Sequence, residues 1–110
     1  MDKKQKKYIE QLKEFLTIAS VTADSKFMSQ VQESAQWVKN ALIESGCDTA
    51  TIHPTQGHPV VIGRKTINPT SPTIMVYGHY DVQPPDPLDL WKTDPFHPVI
   101  KKTQVHPEGA

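Results

Sequence analysis

The sequence is short of several features that would assign it to common protein classes. It has one cysteine, Cys47, in 110 residues, which excludes an internal disulfide and a zinc site built from several cysteines. Its 12 basic and 12 acidic residues cancel, which argues against nucleic acid or an anionic membrane surface as the main partner. No apolar run approaches the roughly 18 residues of a membrane span, and no signal-peptide core follows the basic N-terminus. We therefore expect a cytoplasmic chain of single-domain size.

Proline is also absent from residues 1–53, whereas residues 54–110 carry all 10 prolines. This split predicts helices in the first half and short extended pieces and turns in the second. The hydrophobic content of 36%, which leaves out glycine, is below the usual ~45–50% even when glycine, which that range includes, is allowed for. A chain of this length can fold alone, but so few apolar residues indicate either a marginal domain or a core completed by sequence outside this chain.

Two amphipathic helices are predicted before residue 46. Their apolar positions follow helical spacing: Ile9, Leu12, Leu16 and Ala19 within residues 3–19, and Phe27, Val31, Ala35, Val38 and Leu42 in the second helix. Asp24 or Ser25 is the expected N-cap of the second helix, and Gly46 lies where a left-handed C-cap belongs. We interpret both apolar stripes as core packing.

Three short strands are predicted between residues 47 and 81. Residues 49–53 alternate in polarity, and residues 59–63 and 73–77 are apolar runs bounded by turn-forming residues, which is typical of buried strands. Two helices followed by three strands predict an α/β fold with helices packed on a mixed or parallel sheet. The prolines of residues 82–98 exclude a helix or central strand there and favour an ordered surface loop.

The residues that can carry chemistry follow the third predicted strand. Gly78 permits a close turn, and His79-Tyr80-Asp81 then lies beyond the carboxyl end of the strand, where open α/β sheets bind ligands. Histidine is the commonest nitrogen ligand of zinc, and a ligating imidazole usually donates its other N–H to a carboxylate. His79 and Asp81 supply both groups if they face one cavity. Taken alone, a His-x-Asp segment at the end of a strand is more often an ordinary hydrogen-bonded pair of polar residues.

A longer motif gives this pair its context. Residues 78–85, Gly-His-Tyr-Asp-Val-Gln-Pro-Pro, and residues 91–96, Trp-Lys-Thr-Asp-Pro-Phe, closely resemble the N-terminal motif of a zinc metallopeptidase family. That family includes carnosinase-like and other cytosolic dipeptidases, acetylornithine deacetylase, succinyl-diaminopimelate desuccinylase and peptidase T. The segment Gly-His-x-Asp-Val-Gln-Pro points to its dipeptidase branch. The resemblance implies a hydrolase that cleaves dipeptides or N-acyl amino acids with metal-activated water.

Carried over residue by residue, the resemblance implies that His79 is the first zinc ligand. It implies that Asp81 is the adjacent acidic residue, which has a catalytic role in the family and physically orients the histidine. Family members hold two zinc ions with a second histidine, a bridging aspartate and two more acidic ligands, and a separate glutamate is the general base. None of these further residues is matched, and no substrate-binding residue is implied.

The end of the chain resembles the start of the next family motif. Residues 102–110 align with it and stop two residues before the bridging aspartate. We therefore expect residues 1–110 to be the N-terminal portion of a metallopeptidase catalytic domain that is inactive alone. Its parts are a helical region (1–46), strands that end in the His-x-Asp motif (47–81), and a proline-rich loop with a truncated end (82–110).

The remaining polar residues are not expected to complete a metal site. We predict exposed or turn-capping roles for His53, His58, His97 and His106, an apolar filler role for Cys47, and turn-capping roles for Asp86, Asp89 and Asp94. Two other hypotheses stay open. One is a non-catalytic interaction module that uses the proline-rich loop or the helical face. The other is a decayed product that has no function.

Overall fold

The computed structural model describes residues 2–101 of the chain. Two helices come first and a two-stranded sheet follows. In chain order the elements are α1 (Lys3–Leu16), a 3-10 turn (Ser25–Phe27), α2 (Met28–Glu44), β1 (Thr49–His53), β2 (Val60–Arg64) and a second 3-10 turn (Leu88–Leu90). The features predicted for residues 102–110 lie outside the described residues. Within the described part, neither helix is long and apolar enough to cross a bilayer.

Helix α1 begins at a capping box. The Asp2 carboxylate accepts a hydrogen bond from the Gln5 backbone N–H at 2.8 Å, and the Gln5 side chain accepts one from the Asp2 N–H at 3.0 Å. These bonds satisfy donors that have no partner inside the helix. The helix ends at Leu16 rather than at residue 19 as predicted. Thr17 is the C-cap, because its N–H and hydroxyl both bond to carbonyls of the last turn.

Helix α2 is entered through the first 3-10 turn, whose N-cap is Asp24. The N-cap of α2 itself is Phe27, which makes no side-chain capping bond, so the prediction that Asp24 or Ser25 caps this helix directly is wrong. The Asp24 carboxylate accepts a hydrogen bond from the Lys26 N–H at 3.1 Å. Beyond the other end of the helix, Gly46 has a φ of +105°. Glycine adopts this left-handed conformation without the steric cost of a Cβ atom. The prediction of a left-handed cap at Gly46 is therefore confirmed.

The core lies where α2 meets the segment that joins the two helices. Val31 and Ala35 of α2 are 0% exposed, and Val21 in the joining segment is 1% exposed. Ile18 completes this apolar cluster at 8% exposure. Both Val31 and Ala35 belong to the apolar stripe predicted for the second helix, so that stripe packs into the core as expected.

Helix α1 contributes less to the core than its apolar stripe predicts. None of its residues is buried, and Leu12 and Leu16 are 55% and 43% exposed. The helix reaches α2 through Phe15, whose ring stacks on Trp37 with 4.6 Å between the ring centroids. The core-packing prediction is therefore wrong for the apolar stripe of α1, because little of the described chain covers that face.

Strands β1 and β2 form an antiparallel hairpin that packs against α2. Thr49 pairs with Arg64, and residues alternate between exposed and half-buried along both strands. This alternation turns one face of the hairpin toward the helix. Gly63 lies where the helix comes closest, because a Cβ atom there would be only 3.0 Å from Cδ1 of Leu42 and 3.2 Å from Sγ of Cys47. Half-buried Cys47 thus fills this contact, as predicted.

The third predicted strand does not form within the described residues. The sheet has two antiparallel strands, rather than the predicted mixed or parallel arrangement, and residues Ile74 to Tyr77 are 86–90% exposed instead of buried. An apolar run becomes a buried strand only where another strand supplies hydrogen-bond partners and a further layer covers its side chains. Residues 2–101 bring neither to this segment. In the described part of the chain, parallel pairing is limited to one bridge between Val21 and Val82.

The proline-rich residues 82–98 contain no helix or strand beyond the 3-10 turn at Leu88–Leu90 and the bridge at Val82. This agrees with the prediction, since proline lacks the N–H that a helix interior or a central strand requires. Asp94 caps a turn as predicted, and its carboxylate accepts a hydrogen bond from the Phe96 N–H at 2.8 Å.

Candidate metal site

His79 and Asp81 face each other where the extended segment reaches the core, which brings together the two residues that the motif singled out. The His79 Nδ1 atom lies 3.0 Å from the Asp81 carbonyl oxygen and 3.2 Å from Asp81 Oδ1. A proton on Nδ1 thus has two acceptors from one residue, which leaves the lone pair on Nε2. The His79 side chain is 74% exposed, so an ion from solvent can reach the ring.

The second oxygen of the Asp81 carboxylate is bound by Thr22. The Thr22 hydroxyl donates a hydrogen bond to Asp81 Oδ2 at 2.8 Å. This bond is the largest cause that lowers the pKa of Asp81 below its ordinary value. Partial burial opposes it, and the Asp81 backbone and the neighbouring His79 add to the lowering. Asp81 is therefore a carboxylate at neutral pH, with one oxygen toward Thr22 and the other toward His79.

Tyr80 anchors the same segment through its backbone and its side chain. Its carbonyl accepts hydrogen bonds from the buried hydroxyls of Ser20 at 2.9 Å and Ser34 at 3.2 Å. Its phenolic hydroxyl donates to the carbonyl of Pro59. Burial, followed by the charge of Asp81, raises the pKa of Tyr80 above its ordinary value, so this hydroxyl keeps its proton. These three bonds fix the backbone between His79 and Asp81.

His58 has a contact that sequence reasoning missed. Its Nε2 atom lies 3.0 Å from the carbonyl oxygen of Thr22, and its buried Nδ1 atom has no hydrogen-bond partner among the described residues. The expected exposed or turn-capping role is therefore wrong for His58, which is half-buried and bonds to a residue 36 positions away. No local pattern announces such a contact. The same expectation is confirmed for His53 and His97, which are exposed.

The residues present fit part of a metal site. His79 offers one nitrogen ligand, and Asp81 orients it, but a catalytic zinc site needs about three protein ligands and an open position. Residues 2–101 contain no group of three or more His, Cys, Asp or Glu side chains that could hold an ion. His106 lies outside the described residues. The chemistry of the donor atoms therefore fits one ligand of a metal centre together with its supporting carboxylate.

Comparison with known proteins finds relatives over most of the chain, although no family model matches it. The Cys-Gly metallodipeptidase dug1 of Schizosaccharomyces pombe is 31% identical over 120 residues, which cover 100% of this chain and 25% of that protein. The Cys-Gly metallodipeptidase DUG1 of Candida albicans is 35% identical over 102 residues, which cover 82% of this chain and 21% of that protein. This chain belongs to their metallopeptidase family.

The fold of this metallopeptidase chain also matches a solved structure. The dipeptidase Dug1p of Saccharomyces cerevisiae superposes with a TM-score of 0.78 and 30% identity, over 88% of this chain and 22% of that one. The family predicted from the motif around His79 is thus confirmed. The chain spans about a quarter of the length of the curated relatives that it matches.

Proposed function

We propose that this chain is the part of a zinc-dependent dipeptidase that carries the first metal ligand, His79, and its orienting carboxylate, Asp81. The supporting observation is the His79–Asp81 geometry, in which Nδ1 faces two acceptors of Asp81 at 3.0 and 3.2 Å. Metal-binding imidazoles in general are oriented by such a carboxylate or carbonyl. The relatives that are named Cys-Gly metallodipeptidases support a dipeptide as substrate. An N-acyl amino acid is the other substrate class that the resemblance of the motif implies.

The proposed metal is zinc, with two ions in the complete site. Imidazole nitrogen and carboxylate oxygen are ordinary zinc ligands. When bound, zinc supplies a Lewis acid and an activated water for attack on an amide carbonyl. The chain's own residues prepare for this: His79 keeps its proton on Nδ1, the negative Asp81 holds that proton in place, and the ring presents Nε2.

We further propose that residues 1–110 bind zinc weakly and hydrolyse no peptide by themselves. One matched ligand falls short of the three that a catalytic zinc site requires. The remaining ligands and the general base would then come from sequence outside this chain, which spans 25% of the first of the two curated relatives and 21% of the second. A single cysteine among 110 residues supports a cytoplasmic location for the protein.

Hydrolysis of a Cys-Gly dipeptide tests this function. The reading frame that contains the chain is expressed together with any coding sequence that follows Ala110, and the product is assayed with zinc and with a chelator. We expect hydrolysis that the chelator abolishes and that His79→Ala removes. The matched control is His53→Ala, which deletes an exposed imidazole on β1 and should leave the rate unchanged.

The 110-residue chain alone is assayed beside that product. We expect no hydrolysis from it at any zinc concentration. Zinc-dependent hydrolysis by the chain alone that is lost in His79→Ala would show that the chain completes a site, for instance by dimerising. Hydrolysis by the longer product that survives His79→Ala would contradict the role of His79.

A further inference from the structure

The Thr22 hydroxyl and the His79 imidazole contact different oxygens of the Asp81 carboxylate. The hydroxyl donates to Asp81 Oδ2 at 2.8 Å, while Oδ1 lies 3.2 Å from His79 Nδ1. The two oxygens of one carboxylate are thus assigned to two different partners. An Asp side chain has a broad preference for its terminal torsion angle, so its own rotamer does not fix this assignment.

Thr22 is itself held in place by its backbone. Its carbonyl oxygen lies 3.0 Å from Nε2 of His58, in the connection between β1 and β2. The residue before it, Val21, is 1% exposed and forms the bridge with Val82. The adjacent Ser20 carbonyl accepts the Val82 N–H at 3.0 Å. The Thr22 hydroxyl is therefore presented from a backbone that is fixed by both the core and the hairpin.

We infer that Thr22 is a positioning residue, whose hydroxyl fixes the Asp81 carboxylate so that Oδ1 faces His79 and Nε2 is left for a metal. The presentation of Nε2 to a metal rests on the proposed function. The ordering of the Asp81 carboxylate by Thr22 does not depend on a metal. Thr22 is not itself a ligand of the metal or a contact of the substrate. It acts through Asp81, which in turn acts through His79.

The chemistry of the bond decides which substitutions preserve it. An ionised carboxylate only accepts hydrogen bonds, so the Thr22 hydroxyl must be the donor. Thr22→Val keeps the branched shape and removes the donor, whereas Thr22→Ser keeps the donor and removes one methyl group. Thr51→Val is the matched control, because Thr51 is an exposed threonine on β1 away from the site.

The test uses NMR on the full 110-residue chain without metal. Side-chain coupling constants give the χ1 rotamer populations of Asp81, which decide whether the carboxylate lies between Thr22 and His79. Imidazole nitrogen shifts give the tautomer of His79. We expect one Asp81 rotamer and an Nδ1-protonated His79 in the wild type, in Thr22→Ser and in Thr51→Val. In Thr22→Val we expect averaged Asp81 rotamers and a smaller fraction of the Nδ1–H tautomer, because only the Asp81 carbonyl remains fixed near Nδ1.

A wild-type measurement keeps the inference testable if Thr22→Val does not fold. The Thr22 hydroxyl proton should exchange slowly and show a nuclear Overhauser contact to the Asp81 side chain. Fast exchange together with averaged Asp81 rotamers in the wild type would overturn the inference. So would a folded Thr22→Val chain in which Asp81 keeps one rotamer and the His79 shifts are unchanged.

Zinc titration of the same samples separates this inference from the proposed function. We expect the zinc affinity at His79 to fall about 10-fold in Thr22→Val and to recover in Thr22→Ser, the size typical of removing a group that supports a metal ligand. If zinc has no effect at His79 in any sample while Thr22 still orders Asp81, the metal role of His79 is rejected and the positioning role of Thr22 stands. If Thr22→Val changes neither the zinc affinity nor the order of Asp81, the positioning role of Thr22 is rejected and the metal role of His79 stands.

Discussion

The carbonyl of Tyr80 accepts two buried hydroxyls, and this arrangement predicts a non-additive pair of substitutions. Ser20 and Ser34 are 2% and 0% exposed, and they donate to the same oxygen at 2.9 and 3.2 Å. Either Ser20→Ala or Ser34→Ala alone leaves the carbonyl with one donor. The double substitution leaves this oxygen without either hydroxyl, beside a site whose geometry depends on the 79–81 backbone.

The expected magnitudes follow from the cost of losing hydrogen bonds. Each single substitution should lower the free energy of unfolding by about 1 kcal/mol, the net value of a typical intramolecular hydrogen bond. The double substitution adds the desolvation penalty of an unsatisfied acceptor, about 1–3 kcal/mol for a buried group. Because Tyr80 is half-buried, we expect the low end of that range, which gives about 3 kcal/mol in total and a coupling of about 1 kcal/mol.

Urea unfolding followed by helical circular dichroism measures these differences. With a denaturant slope of about 1.5 kcal/mol/M, each single variant should lower the midpoint by roughly 0.7 M. The control is Ser71→Ala, which removes an exposed hydroxyl and should change nothing measurable. Single effects that add to the double effect, or a double variant as stable as the wild type, would refute the shared-acceptor reasoning.

Three further predictions concern other parts of the molecule. The Thr66 N–H lowers the pKa of Asp48 below its ordinary value of 3.8. Near that pH the unfolded chain therefore binds more protons than the folded chain, so the ionised Asp48 stabilises the fold above pH ~4 and loses this contribution as the pH falls. Acid unfolding should show this pH dependence in the wild type and not in Asp48→Asn. Val76→Lys in the 86–90% exposed run should reduce aggregation measured by light scattering without lowering helix content. Phe15→Leu should cost about 1 kcal/mol in urea unfolding, because it removes the stacking on Trp37.

The predictions for Val76→Lys and Phe15→Leu each have a matched control. Ile67→Lys charges a side chain that is 88% exposed but lies outside the four-residue run, so it should reduce aggregation less than Val76→Lys. Equal effects would contradict the role given to the run. Trp91→Leu alters an aromatic residue that is 51% exposed; a loss of stability as large as that of Phe15→Leu would contradict the value given to the stacked pair.

The helices could be predicted from the sequence because their signals are local. Both capping signals act within one turn: Asp24 caps the 3-10 turn that leads into α2, and Gly46 has the predicted left-handed role beyond its end. The segment 73–77 could not be predicted in the same way. Its apolar run is intrinsic to the chain, but pairing and burial depend on what lies beside it, and the residues between 2 and 101 place nothing there.

In the candidate site, too, the residues close in sequence could be predicted and the distant ones could not. His79 and Asp81 are two residues apart, so their motif could suggest the pairing of imidazole and carboxylate that the structure shows. Thr22 and His58 could not be found by pattern, because Thr22 bonds to a residue 59 positions away and His58 to one 36 positions away. Only the packing of the joining segment against the hairpin and the extended segment brings them together.

The most direct test of the proposal that Asp81 orients His79 as a metal ligand is to find which nitrogen atom of His79 zinc contacts. Nitrogen NMR of the 110-residue chain, titrated with zinc, distinguishes Nε2 from Nδ1 in each imidazole. We expect that zinc shifts Nε2 of His79, that Nδ1 keeps its proton beside Asp81, and that His53→Ala changes neither result. Zinc bound at Nδ1 of His79, or zinc that shifts other imidazoles and leaves His79 unaffected, would contradict it.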